Sequence, residues 1–184
     1  SNKKISLANL PRVKDVETMI KLLESMGSKV EISKNKNSLV IKNDKKIKTE
    51  ASYNLMSTMR AGIIVLGPLL ARFGKARVSS PGGCNIGFRP IDIHLEALKK
   101  MGVKYKIIDG YINANAKNGL VGAKIKFPKI SVGATENLMI AACLAKGQTV
   151  LSNCAIEPEI KDLSNFLCSI GAKIAWTKKR QVKI

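Results

Sequence analysis

Aromatic side chains make up only 4% of these 184 residues, and there is a single histidine, His94. Acidic residues are scarce as well: 13 Asp and Glu stand against 32 Lys and Arg, a formal net charge of +19. Each shortage excludes something. One histidine and four cysteines (Cys84, Cys143, Cys154, Cys168) without any C-x-x-C spacing do not make a zinc site, so no metal is expected. The basic residues are mostly lysines spread along the whole chain, thickest from Lys34 to Lys48, with few aromatics among them. There is no RNP-like aromatic pair, no zinc finger and no clear helix-turn-helix. The charge therefore reads as a solvated lysine surface rather than a nucleic-acid module, and its field would draw in a small polyanion. Long apolar runs are missing too. The longest, Ala61 to Ala71, is too short to span a bilayer and is flanked by Arg60 and Arg72. No secretory signal opens the sequence. The expectation is a soluble, cytoplasmic protein with no membrane or nucleic-acid partner. Cys143, Cys154 and Cys168 then serve as small hydrophobes in a reducing compartment.

What is present is a repeat. Leu23-Glu24-Ser25-Met26-Gly27-Ser28-Lys29, Leu98-Lys99-Lys100-Met101-Gly102-Val103-Lys104 and Leu167-Cys168-Ser169-Ile170-Gly171-Ala172-Lys173 all read L-x-x-[MI]-G-x-K. Each ends a helical pattern. Val16, Met19, Ile20, Leu23 and Met26 share one face of the first; Ile160, Leu163, Phe166, Leu167 and Ile170 share one face of the third. The glycine suits a left-handed helix cap, and a short strand follows, as at Val30-Glu31-Ile32 or Tyr105-Lys106-Ile107. Asp15, Asp92 and Asp162 stand near the three helix starts, where the helix dipole favours a negative charge. A second kind of helix, apolar nearly all round and hence buried, is expected at residues 54–73 and 135–145. Each runs through glycine into a strand. The unit is an amphipathic helix, short strands, a buried helix and another strand, about 70 to 75 residues long. Three amphipathic helices but only two buried ones imply an incomplete threefold repeat, continued N-terminally in a longer protein.

The segment Pro81-Gly82-Gly83-Cys84-Asn85-Ile86-Gly87-Phe88-Arg89-Pro90 is the most informative in the chain. Three glycines allow a loop to move and close tightly over a ligand. Arg89 offers a planar fork for phosphate or carboxylate oxygens. A thiol beside a fixed cation is chemically useful. Residue types alone leave a plain alternative open, a surface turn with an incidental buried cysteine. Arg60 and Lys129 are similarly two-sided: Arg60 is costly on a buried helix unless an anion meets it, and Lys129 alone is a surface lysine.

The run Ser80 to His94, S-P-G-G-C-N-I-G-F-R-P-I-D-I-H, resembles the active-site loop of the UDP-N-acetylglucosamine 1-carboxyvinyltransferase family of enolpyruvyl transferases. The resemblance extends along nearly the whole chain. It includes Thr58-Met59-Arg60-Ala61, Leu66-Gly67-Pro68-Leu69, Ser131-Val132-Gly133-Ala134-Thr135 and Glu157-Pro158-Glu159-Ile160, all in the family's order. It implies an α/β (α+β) fold, with repeated βαβαββ units around buried central helices. This is one domain of an inside-out α/β barrel, so residues 1–184 would form a single cysteine-loop domain. The family's N-terminal helix and second domain would be absent. The implied reaction moves the enolpyruvyl group of phosphoenolpyruvate to the 3-hydroxyl of UDP-N-acetylglucosamine, with no cofactor, at the opening of peptidoglycan synthesis.

The resemblance also assigns roles. Cys84 would protonate the methylene carbon of phosphoenolpyruvate, an addition that needs a positioned acid. Arg89 would hold its phosphate charge. Arg60 would meet a substrate anion. Arg89, Pro90, Ile91, Asp92 and Ile93 would lie along the uridine nucleotide, and Lys129, Ile130, Ser131 and Val132 would complete that pocket. Asp92 has a second role open to it as a helix-start residue. His94 matches a family position but reads as structural and stays outside the site. Asn85 and Phe88 stand where the family commonly has smaller residues. The family's lysine–asparagine pair, general-base aspartate and further arginines have no counterparts here, so the chain alone is not expected to turn over. The partners would be both substrates and the second domain. Two rival readings are the sister enzyme that makes 5-enolpyruvylshikimate 3-phosphate and a lysine-rich nucleic-acid-binding module; a third is a stand-alone domain without activity.

Overall fold

A computed structural model describes residues 4–35, 37–43, 47–79 and 91–184, with Arg60 described by its backbone alone. These fall into two compact units. One holds the chain up to Ile63 and the strand residues from Arg77; the other holds Ile64–Ala76 and everything from Ile91 onward.

In the first unit, β1 (Ile5–Ala8), β2 (Lys29–Ile32) and β3 (Ser38–Lys42) form an antiparallel sheet of order β1-β3-β2, with α1 (Lys14–Ser25) between β1 and β2. Ser6 sits opposite Val40, and Val30 opposite Ile41. The helix buries Thr18, Leu22 and Met26, one line at i, i+4 and i+8. The expected stripe of Val16, Met19, Ile20, Leu23 and Met26 lies on this side of the helix, Met26 buried and the other four half-buried, but it left out Leu22, the most buried of all. Next come β4 (Glu50–Ala51), α2 (Tyr53–Met56) and a 3-10 helix (Arg60–Val65) that leads out of this unit. β4 pairs in parallel with β5 (Lys75–Ser79), Ala51 opposite Val78.

The second unit is built on α5 (Val132–Ala142), which buries Ala134, Thr135, Asn137, Leu138, Met139, Ala141 and Ala142 and leaves the line of Val132, Glu136 and Ile140 half-buried. Around it pack α3 (Leu66–Phe73), α4 (Asp92–Lys100) and α6 (Pro158–Ser169). β6 (Lys104–Ile108) and β7 (Tyr111–Asn115) make a hairpin turned at Asp109-Gly110. A four-stranded sheet of order β10-β11-β9-β8 takes β8 (Lys124–Lys126), β9 (Val150–Ser152), β10 (Ala175–Lys178) and β11 (Gln181–Lys183). β8 and β9 run parallel because α5 crosses between them.

The repeat is thereby visible in chain order. β4–α3–β5–α4–β6–β7 and β8–α5–β9–α6–β10–β11 are two βαβαββ units, and β1–α1–β2–β3 repeats the order of the last four elements of each. The order β1-β3-β2 reappears as β9-β11-β10. Gly27, Gly102 and Gly171 close their helices with φ of 105°, 92° and 107°, a conformation that a side chain resists. Three details depart from expectation. Residues 54–73 are not one helix but α2, a 3-10 helix and α3. Asp162 lies inside α6, whose first-turn acid is Glu159. Cys168 is exposed rather than packed, whereas Cys154 is buried and Cys143 half-buried.

Candidate active site

Two helix starts frame the describable part of the candidate site. Ile91 precedes α4; Asp92 is its exposed first residue, and Ile93 turns into the core. Ser131 caps α5, its Oγ accepting from the Ala134 N–H at 3.3 Å. Thr135 Oγ1 donates to the Ser131 carbonyl at 2.8 Å and accepts from the Ala155 N–H at 3.1 Å, so the cap is tied to the loop before α6. Lys129 and Ile130 lie just ahead of the cap and face solvent. Both helix starts carry the positive end of a dipole.

The two starts meet at His94. A Cβ placed on Gly133 would lie 3.7 Å from His94 Cε1 and 3.9 Å from Nε2, an ordinary van der Waals distance. The ring is only 8% exposed. Its Nδ1 is 3.0 Å from Asn137 Nδ2, and Asn137 Oδ1 accepts from the Gly67 N–H at 2.8 Å. A backbone N–H can only donate. It therefore fixes the Asn137 amide with oxygen toward α3 and nitrogen toward the ring, so Nδ1 accepts and the ring proton sits on Nε2. Burial lowers the His94 pKa from its ordinary 6.5 to about 4, which keeps the ring neutral near pH 7. Burial, then the nearby Glu159, raises the Glu136 pKa.

The expected site residues divide. Ile91, Asp92, Ile93, Lys129, Ile130, Ser131 and Val132 lie at the starts of the adjoining helices α4 and α5, within one unit. Arg60 opens the 3-10 helix in the other unit. Cys84, Arg89 and Pro90 fall outside the described residues. His94, set aside from the sequence as structural, lies at the junction of the two helix starts. Asn137 and Gly67 were missed. Their signal was an amide on the buried side of a largely apolar helix, since such a group must find partners. Among the described residues no cluster of His, Cys, Asp or Glu is grouped to hold a metal ion, and no helix is long and apolar enough to cross a membrane.

Solved structures share this architecture. The enolpyruvyl transferase NikO from Streptomyces tendae superposes with a TM-score of 0.84 at 16% identity, over 100% of this chain and 43% of that one. An EPSP synthase from Acinetobacter baumannii gives a TM-score of 0.79 at 15% identity, covering 42% of that chain. The fold is that of the enolpyruvyl transferases. The family model for EPSP synthase (3-phosphoshikimate 1-carboxyvinyltransferase) matches residues 1–184, and the chain belongs to that family. Within it, a UDP-N-acetylglucosamine 1-carboxyvinyltransferase of Pelagibacter ubique is 72% identical over all 184 residues, which span 44% of its length. One from Trichlorobacter lovleyi is 50% identical over 179 residues, 97% of this chain and 42% of that protein. The chain thus spans less than half the length of these relatives.

Proposed function

We propose that this chain is the cysteine-loop portion of a UDP-N-acetylglucosamine 1-carboxyvinyltransferase, acting in the cytoplasm at the entry to peptidoglycan synthesis. The observation that carries the reading is the 72% identity, end to end, to a relative of that name. In this reading Cys84 delivers a proton to the methylene carbon of phosphoenolpyruvate. The 3-hydroxyl oxygen of the sugar bonds to the adjacent carbon and gives up its own proton. The tetrahedral adduct then loses a proton from the new methyl group, its carbon–phosphate oxygen bond breaks, and phosphate leaves. Arg60 and Arg89 hold anionic oxygens, and charge-assisted hydrogen bonds are the strong ones. Glycines around Cys84 let the loop close and exclude water. Ile91–Ile93 and Lys129–Val132 line the uridine nucleotide, whose diphosphate suits two adjoining helix N-termini. The remaining groups of the reaction belong to the part of the enzyme that this chain does not span, so it does not turn over alone.

The test is intact-mass spectrometry after incubation with phosphoenolpyruvate and UDP-N-acetylglucosamine. The chain is used alone, and mixed with the segments of the Pelagibacter ubique relative that it does not match. An adduct that disappears in Cys84→Ser supports the reading. Steady-state turnover by the chain alone refutes the partial-site part of it. Adduct formation with shikimate 3-phosphate instead of the nucleotide sugar would favour the sister enzyme, whose name the family model bears.

A further inference from the structure

We propose that Asn137 is a positioning residue that acts through His94: by clamping Gly67 of α3 on one side and the imidazole on the other, it presents Nε2–H as a fixed donor at the start of α5. The inference rests on the nucleotide-sugar reading above and goes beyond it by assigning a device that no substrate contact requires. The observations are geometric. Asn137 is fully buried, in a helix whose other buried side chains are alanine, leucine, methionine and Thr135. An amide there is costly unless both ends are paired, and here one end takes the Gly67 N–H and the other the ring. A Cβ on Gly67 would overlap the Asn137 amide oxygen, so only glycine lets α3 come this close. Three helices thus converge on one amide whose orientation the backbone dictates. The consequence falls on Nε2, the ring atom nearest to Gly133 besides Cε1. A donor pointing toward an anionic diphosphate attracts it; a lone pair in the same place repels it.

Other titratable groups do not explain the ring's state. Asp92, Glu96, Lys99 and Lys100 on α4, Glu136 on α5, Arg72 on α3 and Lys104, Tyr105 and Lys106 on β6 are the titratable groups these elements carry. None of them is a cause of the lowered His94 pKa, for which burial accounts.

The test uses Asn137→Asp in the 184-residue chain. The carboxylate still accepts from Gly67 but has no proton for the ring, so Nδ1 must become a donor and Nε2 is left as a lone pair at high pH. Because His94 is the sole histidine, ring nitrogen spectra read it without ambiguity. The wild-type ring should show the proton on Nε2 from pH 6 to 8, with an affinity for UDP-N-acetylglucosamine, by calorimetry, that is flat over that range. In Asn137→Asp the proton should sit on Nδ1, the ring should titrate at higher pH, and affinity should fall roughly 10- to 100-fold above that midpoint and recover below it, as expected for one hydrogen bond to a charged group. A role in packing alone would lower affinity equally at every pH, and that result overturns the proposal. So does a wild-type ring protonated on Nδ1. If wild type binds no nucleotide sugar, alone or in the complemented assembly, the reading of the site fails and the positioning role falls with it. Binding with the wrong tautomer would sink the relay and leave that reading standing.

Discussion

Acid should destabilise this protein through one side chain. His94 is neutral and buried when folded, with a pKa lowered by burial to about 4, against 6.5 when exposed in the unfolded chain. Between those values the unfolded state binds a proton that the folded state refuses, so stability is full above pH 6.5 and is lost as pH falls toward 4. The gap corresponds to about 3 kcal/mol, a large share of the 5–15 kcal/mol typical of a domain. Glu136 works in the opposite direction. Its pKa is raised by burial and by Glu159, so it favours the folded state at low pH and loses that contribution as pH rises through its folded pKa. The comparison of wild type with His94→Gln removes this and every other carboxylate effect. The glutamine amide oxygen accepts from Asn137 and does not titrate. Urea unfolding at half-unit steps from pH 8 to 4.5 should give curves that diverge below pH 6.5, wild type losing the greater stability. Parallel curves, or a His94 ring that titrates near 6.5, would refute the reasoning.

Two glycines give a matched pair. Gly67→Ala forces a Cβ into the Asn137 amide and backbone carbonyl and should cost roughly 1–3 kcal/mol or more, as overpacking does. Gly133→Ala meets nothing closer than 3.7 Å and should leave stability unchanged or slightly raised; thermal melts of both variants decide it. Thiol labelling should rank the described cysteines, with Cys168 first because it is exposed. Cys143 and Cys154, both pushed up to about 11 chiefly by burial, should lag. Peptide mapping after timed alkylation at pH 8 checks this, and early modification of Cys154 would contradict it.

The repeat was legible because its punctuation is local. A glycine that must adopt positive φ to end a helix can be recognised without knowing what the helix packs on, and Gly27, Gly102 and Gly171 all do so. Faces are harder. In α1 every candidate position is apolar or nearly so, and adjacent Leu22 and Leu23 cannot be ranked without the partner surface. The break in residues 54–73 had a readable signal that the apolar run concealed. Pro68 has no N–H and disfavours helical backbone before it, so it belongs in the first turn of a helix, and α3 begins at Leu66. Asn137 had a readable signal too, but its partners lie 70 and 43 residues away in sequence, a distance no periodicity spans. The motif around Cys84 lies outside the described residues, and its residue types by themselves left a plain surface turn open beside a catalytic loop.

An amide and an imidazole inside an apolar helix packing need a reason, because a hydrophobic pair of similar shape would satisfy the core at no polar cost. Exchange of both partners tests which reason holds. Asn137→Leu removes a partner from His94 Nδ1 and from the Gly67 N–H, and His94→Leu removes the ring from the Asn137 amide nitrogen. Each single variant should be destabilised by about 0.5–3 kcal/mol. In the double variant both sides of the Asn137–His94 contact are apolar, so the loss common to the two single variants is counted once. The double variant should therefore be more stable than the sum of the singles implies, with a coupling of about 0.5–3 kcal/mol, and its stability should fall less than that of wild type between pH 6.5 and 4. Urea unfolding of the four proteins at pH 7 measures the coupling, and simple additivity would show that the two residues are not partners. If the double variant is as stable as wild type and yet binds the nucleotide sugar more weakly, the polar pair is kept for the ligand. If binding is unchanged, the pair serves the fold, by fixing how α3, α4 and α5 meet.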